Sequence, residues 1–236
     1  MTTVEEEKSV QPSEEAEGEQ QKEKKEVNVS RRSLIGGVGS AVVLMGIGAV
    51  GLFAEDSICR PPGGQNEDHL MAGCIRCEKC YEVCPRHVIT PAHIEHGIVN
   101  VRTPTLDFNN AYCDFCAEEN NGIPLCEHVC PTDALKIPDS TSVSSIKIGT
   151  AEIDTYQCLA YRDTGCRFCY DACVKAGYNA IELEGNSSGT NPHPVVLADK
   201  CVGCGACQSV CVSLTEGSVA EGSTEVAIVV RPESTN

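Results

Sequence analysis

Sixteen of the seventeen cysteines fall into four groups of four, and each group has the spacing of an iron–sulfur ligand set. Cys74, Cys77, Cys80 and Cys84, followed by Pro85, read C-x2-C-x2-C-x3-C-P, the bacterial run for a [4Fe–4S] cluster. Cys201, Cys204, Cys207 and Cys211 repeat the spacing with Val212 in place of the proline. Two looser sets lie between them. Cys113, Cys116, Cys126 and Cys130 precede Pro131, and Cys158, Cys166, Cys169 and Cys173 precede Val174. The chemistry this implies is one-electron transfer. Two-residue gaps let a loop wrap a small cubane and present three sulfurs in succession. The fourth sulfur comes from elsewhere, because in two-cluster proteins the fourth cysteine of each run ligates the other cluster.

Disulfides and zinc are the rival readings. Disulfide-dense scaffolds are small and lack a core, whereas this chain has 236 residues. Zinc prefers two C-x2-C pairs separated by a longer loop. The second set could pass for zinc in isolation, but the compact first and last sets could not. Cys59 belongs to no set and reads as a spare or packing thiol. The six histidines add no ligand at Rieske-like spacing. Tyr81, Tyr112, Tyr156 and Tyr170 lie near ligand cysteines in sequence, where they would shield clusters from water and tune potential. No Ser-His-Asp set, phosphate loop or dinucleotide fingerprint is visible, so the chain reads as a carrier and not as an enzyme.

The elements needed to position these cysteines are short. One helical turn fits between the third and fourth cysteines of the end sets, at Tyr81-Glu82-Val83 and Gln208-Ser209-Val210, and Pro85 would stop the first. Strand-like runs flank the sets at 97–101, 180–184, 194–198 and 226–230, and a hairpin is expected around Gly149-Thr150. The fold class is therefore α+β, with two pseudo-symmetric modules of two cysteine sets each and a small core held by clusters. The shared compact spacing pairs the first set with the fourth. That gives an outer module of 72–104 plus 194–232, nested around an inner module of 105–193. Nesting groups Cys74, Cys77 and Cys80 with Cys211, and Cys201, Cys204 and Cys207 with Cys84. It likewise groups Cys113, Cys116 and Cys126 with Cys173, and Cys158, Cys166 and Cys169 with Cys130. Sequential pairing of the sets is the alternative.

The N-terminal region reads as an address. Residues 1–30 hold nine acids and four lysines with little apolar surface, a composition that stays disordered. Ser30-Arg31-Arg32-Ser33-Leu34-Ile35 resembles a twin-arginine export motif, and an uncharged run with six glycines follows to Ala54. Retained, the 34–54 segment is long enough to anchor the chain in a bilayer; cleaved, it would release the chain on the outer face. Export after folding suits cofactors that must be inserted before the thiols can oxidise. Arg60-Pro61-Pro62-Gly63-Gly64 reads as part of a stiff linker over 55–71, and the cluster region spans 72–236. The net charge of −16 excludes nucleic acid as a partner. It suits docking on basic protein surfaces.

These features in this order resemble the NapG/MauM family of exported ferredoxin-type proteins. The resemblance runs over roughly residues 30–232. It rests on the twin-arginine segment, the Arg60-Pro61-Pro62-Gly63 run, Cys130-Pro131-Thr132-Asp133-Ala134-Leu135, Gly165-Cys166-Arg167-Phe168-Cys169-Tyr170, Ala180–Glu184 and Cys201-Val202-Gly203-Cys204-Gly205-Ala206-Cys207. It implies four [4Fe–4S] clusters and electron transfer outside the cytoplasm. NapG-like members work with a membrane ferredoxin-type subunit, passing electrons from quinol towards periplasmic nitrate reductase. MauM-like members are associated with methylamine utilisation. The expected partners are thus a membrane quinol-oxidising subunit, a periplasmic reductase and the twin-arginine machinery. Two alternatives remain: a subunit held permanently on an exported molybdenum oxidoreductase, and an assembly factor for an exported redox enzyme.

Overall fold

The computed structural model describes residues 58–233 apart from 110, 118, 139–140, 143–144, 186–190 and 215–224. The acidic extension, the export motif and the 34–54 run lie outside the described residues. Among the described residues, no helix is long and apolar enough to cross a membrane.

Among the described residues every helix is short. α1 spans Glu67–Gly73, α2 Lys79–Val83, α3 Leu125–His128, α4 Phe168–Lys175 and α5 Ala206–Ser209. The cysteines explain why. α2, α3, α4 and α5 each begin just before the third cysteine of a set; α4 runs past the fourth, Cys173, whereas α2, α3 and α5 stop one or two residues short of Cys84, Cys130 and Cys211. α2 stops at Val83, and the Cys84 N–H caps it by donating to the Tyr81 carbonyl; Pro85 then bars continuation. α1 opens on Asn66, whose side chain accepts from the His69 N–H, a standard N-terminal cap.

Three two-stranded antiparallel ribbons accompany the helices among the described residues. β1 (Ile89–Pro91) pairs with β2 (Pro104–Leu106), joining the first two cysteine sets. β4 (Ile181–Glu184) pairs with β5 (His193–Val196), joining the last two. β3 (Gly149–Ile153) pairs with β6 (Ile228–Pro232), bringing together the segments before the third set and after the fourth. On this last ribbon Ala151 faces Val230, and both are buried. The core joins small aliphatics to the cysteines themselves, with Leu70, Val88, Phe108, Leu135, Ile148 and Ile181 at its centre.

Three sequence expectations change. The 97–101 run is not a strand: Ile98–Asn100 forms a 3-10 turn, and the strand after the first set is β1. The hairpin around Gly149-Thr150 is absent, because both residues belong to the single strand β3. A Cβ on Gly149 would lie 2.2 Å from the Arg231 carbonyl oxygen, so this glycine serves close strand approach and not a turn.

The segment read as a linker is also built into the fold. Pro61 and Pro62 are fully buried, and α1 takes up 67–71. A Cβ on Gly63 would fall 1.9 Å from the Leu135 carbonyl oxygen, so only glycine permits this contact. Arg60 is buried and bonded on every side. It donates to both Glu67 carboxylate oxygens at 2.7 and 2.9 Å, to Thr103 Oγ1 and the Pro104 carbonyl at 2.8 and 2.9 Å, and to Asn100 Oδ1 at 2.8 Å. One guanidinium thereby ties α1, the 3-10 turn and β2 together.

The pair is asymmetric: the Arg60 side chain is 2% exposed and that of Glu67 45%. Removing the carboxylate strands a buried charge, the costly case for a buried ion pair. We predict that Glu67→Ala destabilises the anaerobic protein by about 3 kcal/mol. Glu67→Gln should cost less because its amide oxygen still accepts one bond. The midpoint of denaturant unfolding reads both.

Candidate metal centres

The structure gathers the sixteen set cysteines into four cavities of nearly equal size, each with four cysteines on its wall. Site A holds Cys74, Cys77, Cys80 and Cys130. Site B holds Cys84, Cys113, Cys116 and Cys126. Site C holds Cys173, Cys201, Cys204 and Cys207. Site D holds Cys158, Cys166, Cys169 and Cys211. Their empty volumes, including the openings to solvent, are about 380, 340, 330 and 380 Å³ in that order. Equal size and equal donor number point to one kind of occupant.

Each cavity takes three cysteines from one set and the fourth from the neighbouring set. The nested pairing is thereby corrected. Cys130, not Cys211, joins Cys74, Cys77 and Cys80; Cys84 joins the second set, Cys173 the fourth, and Cys211 the third. The outer module 72–104 plus 194–232 and the inner module 105–193 do not match these groupings. The cause is local. The β1–β2 ribbon turns the chain back so that α2 meets α3, and the β4–β5 ribbon brings α4 onto α5. The sequential alternative is the one the geometry follows.

The helices explain the exchange. Cys80 and Cys84, Cys126 and Cys130, Cys169 and Cys173, and Cys207 and Cys211 are each four residues apart. That spacing keeps two side chains on one helical face but displaces them by about 6 Å along the axis. A single turn therefore serves two sites.

The loops that carry the first three cysteines depend on left-handed backbone. Arg76 and Glu78 flank Cys77 with φ of 56° and 67°, and Gly203 and Gly205 flank Cys204 with φ of 73° and 82°. The same two positions of both compact sets thus use the same turn. In the first set, side-chain-bearing residues carry its conformational cost. Arg102, at φ 64°, pairs with Glu78 and supports that loop from outside. At site B, Arg86 pairs with Asp114 at 2.7 Å, and Asp114 Oδ1 accepts the Cys116 N–H at 3.0 Å. This joins the end of the first set to the loop of the second.

The donor chemistry fits an iron–sulfur cluster. None of the seventeen cysteines is in a disulfide. Burial pushes Cys80 and Cys169 up to about 12 and Cys204 up to about 11, with neighbouring sulfurs adding to the rise. Burial raises Cys126 and Cys207 well above the ordinary thiol range. Such a crowd of buried thiols would ionise only with a strong positive charge at its centre, which clustered iron supplies. Cys130 departs from the trend. Burial would raise it, but N–H groups of Thr132, Leu135 and Ala134 and the Thr132 hydroxyl outweigh burial and lower it. Other sulfurs also accept backbone bonds: Cys173 from Ala180 at 3.2 Å and Cys201 from Ala151 at 3.4 Å. Bonds of this kind tune cluster potential. Apart from the sulfurs, the walls are mainly aliphatic, with Leu70, Leu135 and Pro104 at site A and Ala151, Ile181 and Val230 at site C.

Of the tyrosines expected to shield clusters, Tyr81 lines site A, whereas Tyr156 is 69% exposed and lines none. Tyr178 lines site C and was missed in the sequence. It follows the left-handed Gly177 after α4, and no cysteine spacing marks it. Cys59 is buried, with Sγ 3.5 Å from the Val230 carbonyl, outside all four cavities.

The fold and its cysteines define an iron–sulfur electron-transfer protein of ferredoxin type, and comparison with known proteins agrees. A 4Fe-4S dicluster domain matches residues 73–134 and 164–213. Each match covers cysteines from two sets that the structure brings together. The ferredoxin-type protein NapG of Escherichia coli K12 is 32% identical over 183 residues, covering 75% of this chain and 76% of the relative. The methylamine utilization ferredoxin-type protein MauM of Methylophilus methylotrophus is 32% identical over 77% of this chain and 80% of its own. The ferredoxin-type protein NapF of Escherichia coli K12 is 29% identical over 64% and 79%. No solved structure matches. The chain belongs to the family of NapG and MauM ferredoxin-type proteins.

The shared helical turns generate a prediction. Cys84→Ala should perturb the site built from Cys113, Cys116 and Cys126 and leave the site of Cys74, Cys77 and Cys80 intact. Low-temperature EPR of the reduced protein reads which signal changes. Loss confined to the Cys74 site would contradict the grouping.

Proposed function

We propose that this protein holds four [4Fe–4S] clusters, one in each of sites A to D, and relays single electrons between a membrane quinol-oxidising partner and a periplasmic reductase. The observation that carries this reading is the fourfold recurrence of one apolar cavity with three cysteines from one loop and a fourth from a neighbouring helix. When bound, each cluster supplies a one-electron couple between the 2+ and 1+ states.

The chain's own residues do the rest. The sixteen cysteines hold the clusters, and the aliphatic walls keep water from them. The backbone N–H groups on Cys130, Cys173 and Cys201 favour the more negative sulfur. Sites A and B form one ferredoxin-type module and sites C and D a second, related by a pseudo-symmetric repeat of loop, helical turn and ribbon. The ferredoxin-type relatives support reading the protein as a carrier of electrons and not as a catalyst by itself.

The reading extends to location. The Ser30–Ile35 motif and the uncharged run after it support export by the twin-arginine route to the outer face of the cytoplasmic membrane. The oxidation sensitivity of so many ligand thiols supports folding and cluster loading before export. Relatives named NapG support a place beside a nitrate reductase system. Relatives named for methylamine utilization make methylamine oxidation the second candidate system.

Anaerobically purified protein should carry iron and acid-labile sulfide for four [4Fe–4S] clusters. Its visible absorption should bleach when membranes of the source cell are given a quinol donor. Four clusters without bleaching would contradict the quinol-linked role. Folded protein lacking inorganic sulfide would contradict the whole reading.

A further inference from the structure

Sites B and C meet where the two halves of the chain touch. The Cys113 N–H donates to the Cys204 carbonyl at 2.8 Å. Cys113 lines site B and Cys204 lines site C, so one backbone hydrogen bond joins the two. Beside it, Gly205 packs on the ring of Phe108. A Cβ at Gly205 would lie 2.0 Å from Phe108 Cδ1, and φ there is +82°. Phe108 is itself buried. Tyr178 stands at the same place: burial raises its phenol, and the nearby sulfurs of Cys204 and Cys113 raise it further. The Cys59 Sγ–Val230 carbonyl contact, at 3.5 Å, also joins the first and last parts of the described chain.

None of the residues lining sites A and D takes part in these contacts. Cys77 of site A is the exposed member of the seventeen cysteines, beside an exposed Ile75, and site D carries an exposed Phe168.

We propose that electrons pass between the halves at this seam, so that the sites conduct in the order A, B, C, D, with Phe108 and Gly205 as the positioning residues that fix the B–C step. The proposal rests on the iron–sulfur reading above. With clusters held by the cysteines of sites B and C, each crossing would move one electron, the site on one side losing what the site on the other gains. Chain order would instead place site D, with its third-set cysteines, ahead of site C. In the proposed order A and D are the ends where partners meet the carrier.

The test uses the full chain, loaded with clusters under anaerobic conditions. Cys84→Ser and Cys173→Ser replace one sulfur ligand by oxygen and so tag sites B and C with shifted EPR signals. In the doubly tagged, reduced protein the two shifted signals should split each other by spin–spin coupling. Phe108→Ala, at unchanged iron and sulfide content, should lose that B–C splitting while the A–B and C–D couplings persist. Tagged signals that couple only within their own halves would overturn the proposal, as would a Phe108→Ala protein with the B–C splitting intact. Should Phe108→Ala fail to load, the doubly tagged protein with Phe108 in place decides the matter alone. Absence of inorganic sulfide would instead strike the underlying iron–sulfur reading, so the two failures are distinguishable.

Discussion

The whole architecture depends on a four-residue step. In each set the fourth cysteine follows the third by four residues, at or just past the end of the helical turn that carries the third, and so at a different height along it. One cavity cannot take both in the way it takes the first three. The fourth sulfur must serve a second cavity, so every site requires a neighbour, and the neighbour must supply a turn of its own in return. Helix length, ribbon connections and the mutual packing of α2 with α3 and of α4 with α5 all follow from that exchange. A chain with so few aromatics gains its cohesion this way, since metal binding becomes part of the folding free energy.

Much of this was legible in the sequence because ligand spacing is a local property. The membership of the four sets, the helical turns at Tyr81–Val83 and Gln208–Val210 and the strands near 181–184, 193–196 and 228–232 could be read from residue types over a few positions. Partnership between sets could not. Cys84 and Cys113, Cys130 and Cys158, and Cys173 and Cys201 are separated by nearly equal stretches, so chain length favours no pairing. Compact or extended spacing reports the shape of a loop and says nothing about its neighbour. Only the ribbons β1–β2 and β4–β5 decide, and β1 is a three-residue strand containing a proline.

Glycine and proline misled in a related way. Gly149-Thr150 carries a turn signal, yet the glycine is there because Arg231 comes too close for a side chain. Arg60-Pro61-Pro62-Gly63-Gly64 has the composition of a linker but is packed into the fold, with Pro62 on the wall of site B, and is held by an arginine with five hydrogen bonds. Composition reports local stiffness, whereas burial depends on what the rest of the chain places alongside. Tyr178 and Phe108 were hidden for the same reason, since their importance lies in the seam they share with Cys113, Cys204 and Gly205.

The most direct measurement of the account is an anomalous difference map at the iron edge from anaerobically grown crystals. The account predicts four compact iron peaks, each enclosed by three sulfurs of one loop and one from the partner helix, with Cys130 at the first site and Cys211 at the site of Cys158. Single-metal peaks without bridging sulfide, or cubanes ligated by all four cysteines of one set, would contradict it.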